Sequence, residues 1–220
     1  MGYHLDYAVI WRSLHDLFYG LGLDLYMALF SVAMGSLIGL VVAFALVSKR
    51  KLFRVVSGVY VTVIRNIPLM IIILFIYFGL PDAGFTFGEI PSFIFALTIY
   101  AGAYLAEVFR GGILAIHKGI GEAGMAVGMS GFQIIVFIKI PILIRSVMPA
   151  LSNNYISLFK DASVAAVIAV PELTFQTRKI NLETFRTIEA WSTASVLYVA
   201  SCFLIAFLLR QVERRVAIPK

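Results

Sequence analysis

Charge, cysteine and histidine are all scarce in this sequence. Of its 220 residues only 14% are charged, one is cysteine and three are histidine. The single cysteine, Cys202, sits inside an apolar run, so the chain can build neither an internal disulfide framework nor a thiolate metal cage. It is read as packing. His4 and His15 precede the first long apolar stretch and His117 ends another, which leaves no Ser-His pair or metal cluster within the apolar spans. A membrane-embedded hydrolase is therefore disfavoured, and no catalytic residue or metal ligand is predicted. A Gly-x4-Gly-Lys-Ser/Thr phosphate loop is also missing: the nearest candidate begins at Gly112 and has His117 where the second glycine should stand. The chain is not expected to hydrolyse ATP alone. The N-terminus lacks a basic region leading into a short apolar core and cleavage site, so no removable signal peptide is expected.

What the sequence does have is apolar length. It is 61% hydrophobic with a mean hydropathy of +0.95, far too apolar for a soluble domain of this size. In hydrocarbon every backbone donor and acceptor must be paired internally, which leaves helices or a closed barrel. A barrel would show stretches of roughly ten residues with alternating polarity. The runs here are unbroken, so the predicted class is all-α. The net charge of +6 does not indicate nucleic acid, because the basic residues flank the apolar runs instead of forming an aromatic-studded polar patch.

Five spans are predicted. Leu25 to Val47 carries no charge, enough to cross a core of about 30 Å at about 1.5 Å per residue. Within it Gly35 and Gly39 share one helical face, where small residues allow close approach by another helix of the same chain. The second span, approximately Val55 to Leu80, is interrupted at Arg65-Asn66-Ile67-Pro68, where proline predicts a kink or break. The third, approximately Pro91 to Ile116, carries Glu107 and Arg110 on one face as a mutually neutralising pair. The fourth covers approximately Ile134 to Val170 and contains Pro141 and Pro149; the fifth, Ala190 to Leu209, has no charge. Residues 1–22 are read as an N-terminal interfacial segment with Ile10, Trp11, Leu14, Leu17 and Phe18 at helical spacing. Residues 23–213 form the transmembrane domain and 214–220 a cytoplasmic tail. Lys49, Arg50, Lys51 and Arg54 after the first span, and Arg210, Arg214, Arg215 and Lys220 at the end, predict a C-terminus inside and an N-terminus outside.

Between the third and fourth spans, the segment 117–133 is rich in small residues and less apolar than its neighbours. Glu122, just after two glycines, suits the start of a short helix, where a carboxylate meets the positive end of the backbone dipole. Such a projecting helix can enter a groove on a soluble partner. Here the sequence resembles the permeases of binding-protein-dependent ABC importers, in their polar amino-acid branch. The family's cytoplasmic Glu-Ala-Ala-x3-Gly and Ile-x-Leu-Pro signature is matched by Glu122-Ala123-Gly124, Gly128 and Ile138-Lys139-Ile140-Pro141, with Gly124 and Ile140 as departures. Arg65-Asn66-Ile67-Pro68-Leu69, the block from Ala103 to Ile113, and Lys160-Asp161-Ala162-Ser163-Val164 resemble three further family elements, in order. The resemblance implies a type I permease fold in a bacterial inner membrane, with a coupling helix from Gly121 to Gln133 that docks on an ATPase. Gly121, Glu122, Ala123, Gly124, Gly128, Met129 and Pro141 are its predicted coupling residues. It further implies a cytoplasmic ATP-binding-cassette ATPase dimer that holds the ATP and Mg2+, a second permease chain, identical or related, and an extracytoplasmic amino-acid-binding protein. This chain itself would bind no cofactor.

Charged residues at membrane depth cost at least about 2.5 kcal/mol each on insertion scales unless paired or hydrated. A zwitterionic amino acid needs a carboxylate opposite its ammonium and a cation opposite its carboxylate, which Asp161 and Arg65 can supply. Lys160 belongs to the same pathway set, and Thr62, Asn153, Asn154 and Ser157 can add neutral hydrogen bonds. A secondary transporter or channel subunit shares broken helices and buried charge, although five spans are few for a complete one.

Overall fold

In the computed structural model, residues 4–216 are described, and among them the regular structure is entirely helical. A short helix α1 (Ala8–Arg12) leads into α2 (Leu14–Leu46), followed by α3 (Lys51–Asn66), α4 (Leu69–Leu74) and α5 (Glu89–Ala115). Then come α6 (Lys118–Ala126), a turn of helix α7 (Gly131–Gln133), α8 (Ile140–Asp161), α9 (Leu173–Thr184) and α10 (Thr187–Val216). Four helical stretches are long and apolar enough to cross a membrane: Leu14–Leu46, Glu89–Ala115, Gly131–Ile168 and Thr187–Arg215; the broken pair α3–α4 brings the number to five if it is one span. The expected interfacial segment divides, since α1 is only five residues long and α2 runs on from Leu14 through the first span without interruption.

The centre of the bundle is the pair α2 and α5. A Cβ on Gly35 would stand 2.6 Å from the Ala101 Cβ, and one on Gly39 would stand 3.0 Å from the Leu105 Cβ and the Ala106 backbone. A Cβ on Gly102 would meet Ile38 at 2.9 Å. The two helices therefore touch nearly backbone to backbone, which is how small residues drive association where lipid offers no hydrophobic gain. Ser31 Oγ donates to the Ile94 carbonyl across the same seam (3.3 Å). Tyr60 of α3 donates to the Ile99 carbonyl (2.7 Å), fixing α3 against α5. On the other side of α5, a Cβ at Gly112 would overlap Val147 and Leu143, so α5 and α8 are interlocked as well.

The break predicted at Arg65–Pro68 is sharper than a kink. Ile67, ahead of the proline, is extended (φ −104°, ψ 129°) and α3 and the segment beginning with α4 meet at 104°. The α4 segment ends in a π-helical turn, Phe75–Gly79, and Gly84 turns the chain in a left-handed conformation (φ +88°). A second π-helical stretch, Ile134–Lys139, joins α7 to α8 in one continuous helical run and places Pro141 in the first turn of α8, directly after the π-helical stretch. Pro149 is tolerated inside α8.

The glycine seam generates a paired prediction. Gly35→Ile should lower the thermal midpoint of the detergent-solubilised protein, the overpacking costing on the order of 1–3 kcal/mol. Gly58→Ala, where an added Cβ meets nothing within 4 Å, should leave the midpoint unchanged or raise it. A Gly35→Ile protein that melts with the parent would show that the seam is not under close contact.

Candidate functional site: a broken-helix pocket and a projecting helix

Two regions carry the functional candidates, at different levels of the bundle. The first is built where α3 ends. Because Pro68 stops α3, Thr62, Arg65 and Asn66 occupy its last turn and face α5, where Tyr104 and Glu107 complete a polar cavity of about 360 Å³. Asn66 is held by a bond from its side-chain amide to the Thr62 carbonyl (2.7 Å). The Arg65 guanidinium lies over the Tyr104 ring, 5.1 Å from its centroid, and Tyr104 in turn stacks on Tyr100 at 4.6 Å. Neither ion pair among the described residues involves Arg65. Its charge is held by an aromatic face, which leaves the donor fork available. Glu107 borders the same cavity but is committed to Arg110, which donates to it at 2.7 and 3.0 Å. That pair is the neutralising couple that its spacing predicts.

Asp161, the last residue of α8, is half-buried, and Arg65 is held on the Tyr104 face of α5. The neighbouring Lys160 is exposed and lines a separate groove with Ile156, Tyr198, Cys202 and Phe203. Asn153 and Ser157 are exposed, two turns and one turn before Asp161 and on its side of α8, whereas Asn154 turns back on its own helix and donates to the Ala150 carbonyl (2.8 Å). Sequence reading missed Asn66, Tyr100 and Tyr104. The available signal was the i, i+4 spacing of the two tyrosines on the face that also carries Glu107.

The second region is the segment 117–133, which is a nine-residue helix followed by a capped helix start, not one continuous helix. The chain enters α6 at Lys118, capped by the His117 Nδ1, which accepts from the Gly119 amide (3.2 Å). Glu122 therefore lies in the middle of α6, and the expected dipole contact at the helix start is absent, since His117 already takes that place. Gly128 in the left-handed region (φ +82°) closes the helix. Ser130 and Gln133 then form a capping box that begins α7 (3.3 and 2.8 Å). Gly124 is buried: a Cβ there would meet Ile134 at 2.9 Å and Ile138 at 3.3 Å. Gly121 packs toward the Lys139 stem. Glu122 and Ala123 are exposed beside Met125, Val127 and Phe132, which are 61%, 77% and 73% exposed. Met129 is half-buried, and Pro141 stands apart at the start of α8, shaping that helix and not the projecting face.

Comparison with known proteins places this geometry. Residues 35–218 match the family described as binding-protein-dependent transport system inner membrane component. The glutamine transport system permease GlnP of Escherichia coli is 37% identical over 97% of this chain and 98% of its own length. The L-cystine transport system permease TcyB of Bacillus subtilis is 32% identical over 96% and 93%. Among solved structures, an amino acid ABC transporter with histidines superposes with a TM-score of 0.87 at 30% identity, covering 97% of this chain and 100% of that one. The methionine ABC transporter MetNI superposes at 0.81 with 25% identity, over 94% and 99%. These relations set aside the secondary-transporter and enzyme readings. The chain belongs to the binding-protein-dependent inner membrane component family and is the non-catalytic, membrane-spanning permease subunit of an ATP-driven importer that moves polar amino acids by alternating access.

Proposed function

We propose that this permease binds its cargo in its own half of the pathway, with Arg65 receiving the carboxylate and Asp161 the ammonium of a zwitterionic amino acid. The observation that carries the reading is the Arg65 guanidinium: unpaired among the described ion pairs, it rests on Tyr104 and opens on a polar cavity. A carboxylate entering that cavity meets a planar donor fork, Thr62 and the Asn66 amide, the arrangement that rewards bidentate binding. Glu107 is neutralised by Arg110, so it does not repel the carboxylate. The cargo class is an uncharged polar amino acid of glutamine type. That choice rests on the glutamine permease GlnP of Escherichia coli, 37% identical over nearly the whole chain.

The partners follow from the opposite region. An ABC-type ATPase dimer, carrying ATP and Mg2+, docks on α6 through Glu122, Met125, Val127 and Phe132; a second permease chain completes the pathway; an extracytoplasmic amino-acid-binding protein delivers the cargo. The excess of Lys and Arg beside the α2–α3 turn and after α10 supports an orientation with α6 and the C-terminus inside and the N-terminus outside.

Two measurements check this reading. In reconstituted vesicles bearing the assembled importer, Arg65→Gln should raise the KM for L-glutamine by about tenfold or more. Asp161→Asn should lose substrate-stimulated transport without losing assembly. Unchanged affinity and rate in both would remove the site from this chain. Separately, Gly128→Val forces a β-branched residue into a left-handed conformation at a cost of roughly 1–2 kcal/mol, and Glu122→Trp blocks the exposed face of α6. Both should abolish ATP-driven uptake while leaving membrane insertion intact, and normal uptake by either would count against docking at α6. Uptake should also require ATP and ignore a collapsed ion gradient.

A further inference from the structure

A second cluster of polar groups, apart from the pathway, lies where α2, α9 and α10 meet. Gly20 lets α2 approach so closely that a Cβ there would stand 2.7 Å from the backbone of Glu172 and Leu173. One turn further on, Asp24 is fully buried, as is Glu172. Glu172 caps α9, accepting from the Thr174 and Phe175 amides at 2.7 and 2.8 Å. Asp24 Oδ2 accepts from the Leu173 amide at 3.3 Å. The Tyr198 hydroxyl, reached from α10, stands 3.2 Å from Asp24 Oδ2 and 3.2 Å from Glu172 Oε2.

The proton count is one short. Tyr198 has a single phenolic proton for two acidic oxygens at equal distance, and Thr174 Oγ1, 2.9 Å from the same hydroxyl, can donate to it but adds no donor to either carboxylate. Asp24 Oδ1 is buried with no partner at all. Neither ion pair among the described residues involves Asp24 or Glu172. A buried oxygen without a donor carries negative charge only at great cost, whereas a proton on it removes the charge. The other titratable groups on the surrounding elements stand apart. His15 and Asp16 on α2 and Arg178, Lys179 and Glu183 on α9 are exposed; Glu189 on α10 is bonded to Arg186. Lys160 on α8 is exposed in the groove beyond Tyr198, and Asp161 ends α8 half-buried. Burial pushes the Glu172 carboxyl upward, against the helix amides that pull it down.

We propose that Asp24 is a positioning residue of the importer: carrying a proton, it joins α2 to Glu172 and Tyr198 and so holds the α8–α9 turn in its working place. Tyr198 transmits the hold, because its ring packs on Phe159 at 6.1 Å, two residues before Asp161 at the end of α8. Loss of the proton leaves two buried carboxylates facing each other across one donor. The α9 N-terminus is then pushed away from α2, and the end of α8 loses its support. The sign is fixed by the chemistry: the hold is complete while Asp24 carries its proton and weakens as rising pH removes it.

The test is the pH profile of ATP hydrolysis by the assembled, reconstituted importer, a readout that does not depend on which amino acid is carried. The parent complex should lose activity on the alkaline side, as pH rises, relative to Asp24→Asn, whose amide keeps the shape and cannot ionise. Asp24→Ala should be impaired at every pH. Tyr198→Phe, which removes the donor that favours the ionised pair, should move the alkaline limb to higher pH. In parallel, amide exchange at Leu173 to Phe175 should accelerate with pH in the parent beyond the intrinsic chemical rate, and not in Asp24→Asn. An Asp24→Asn complex with the parent's alkaline limb, or one as inactive as Asp24→Ala, would overturn the proposal.

Discussion

The near-contact of backbones along Gly35, Gly39 and Gly102 is the constraint on which the rest of this permease depends. In lipid, apolar surface gains nothing by leaving its surroundings, so helices associate through dispersion at close range and through bonds such as Ser31 to Ile94. Once α2 and α5 are locked, α5 becomes the reference for everything functional. It carries Tyr100, Tyr104 and Glu107 toward the broken end of α3, it interlocks with α8 through Gly112, and its last residues lead directly into α6. The large side chains exposed on α10, Phe203, Leu204 and Phe207 among them, are where a lipid-facing helix should place them.

What was legible in the sequence is what local chemistry decides. Pro68 removes a donor and disfavours helix at Ile67, which is extended, so the break in the second span was legible within Arg65–Pro68. Glycines four apart in an uncharged run announce a close helix contact, and Glu107 and Arg110 three apart announce a pair. The failures lie where a competing local partner or a distant one wins. Glu122 was assigned to a helix start that His117 occupies two residues after the third span ends. The single coupling helix was cut by Gly128, whose left-handed turn was not inferred from spacing. Lys160 and Asp161, adjacent in sequence, were treated as one feature, yet consecutive helical residues point about 100° apart, and the structure puts them in different environments. Nothing near Asp24 in the sequence announces its role, because its partners lie 149 residues away at Leu173 and 174 away at Tyr198.

The connection between the two functional regions is mechanical. The helix α6 hangs between the end of α5 and the start of α8, and Gly124 packs it directly on Ile134 and Ile138, so it cannot tilt without carrying the π-helical stretch below α8 with it. The interlock of Gly112 with Leu143 and Val147 prevents α5 and α8 from sliding independently. A displacement applied to α6 must therefore move both helices as a body. Tyr104 and Glu107 ride on one of them and Asp161 on the other, while Arg65 sits on α3, across a 104° break from the chain that follows it. On the proposed reading of the site, a change in the separation of Arg65 from the tyrosines on α5 would change how well a carboxylate is held, the differential affinity between two states that alternating access requires.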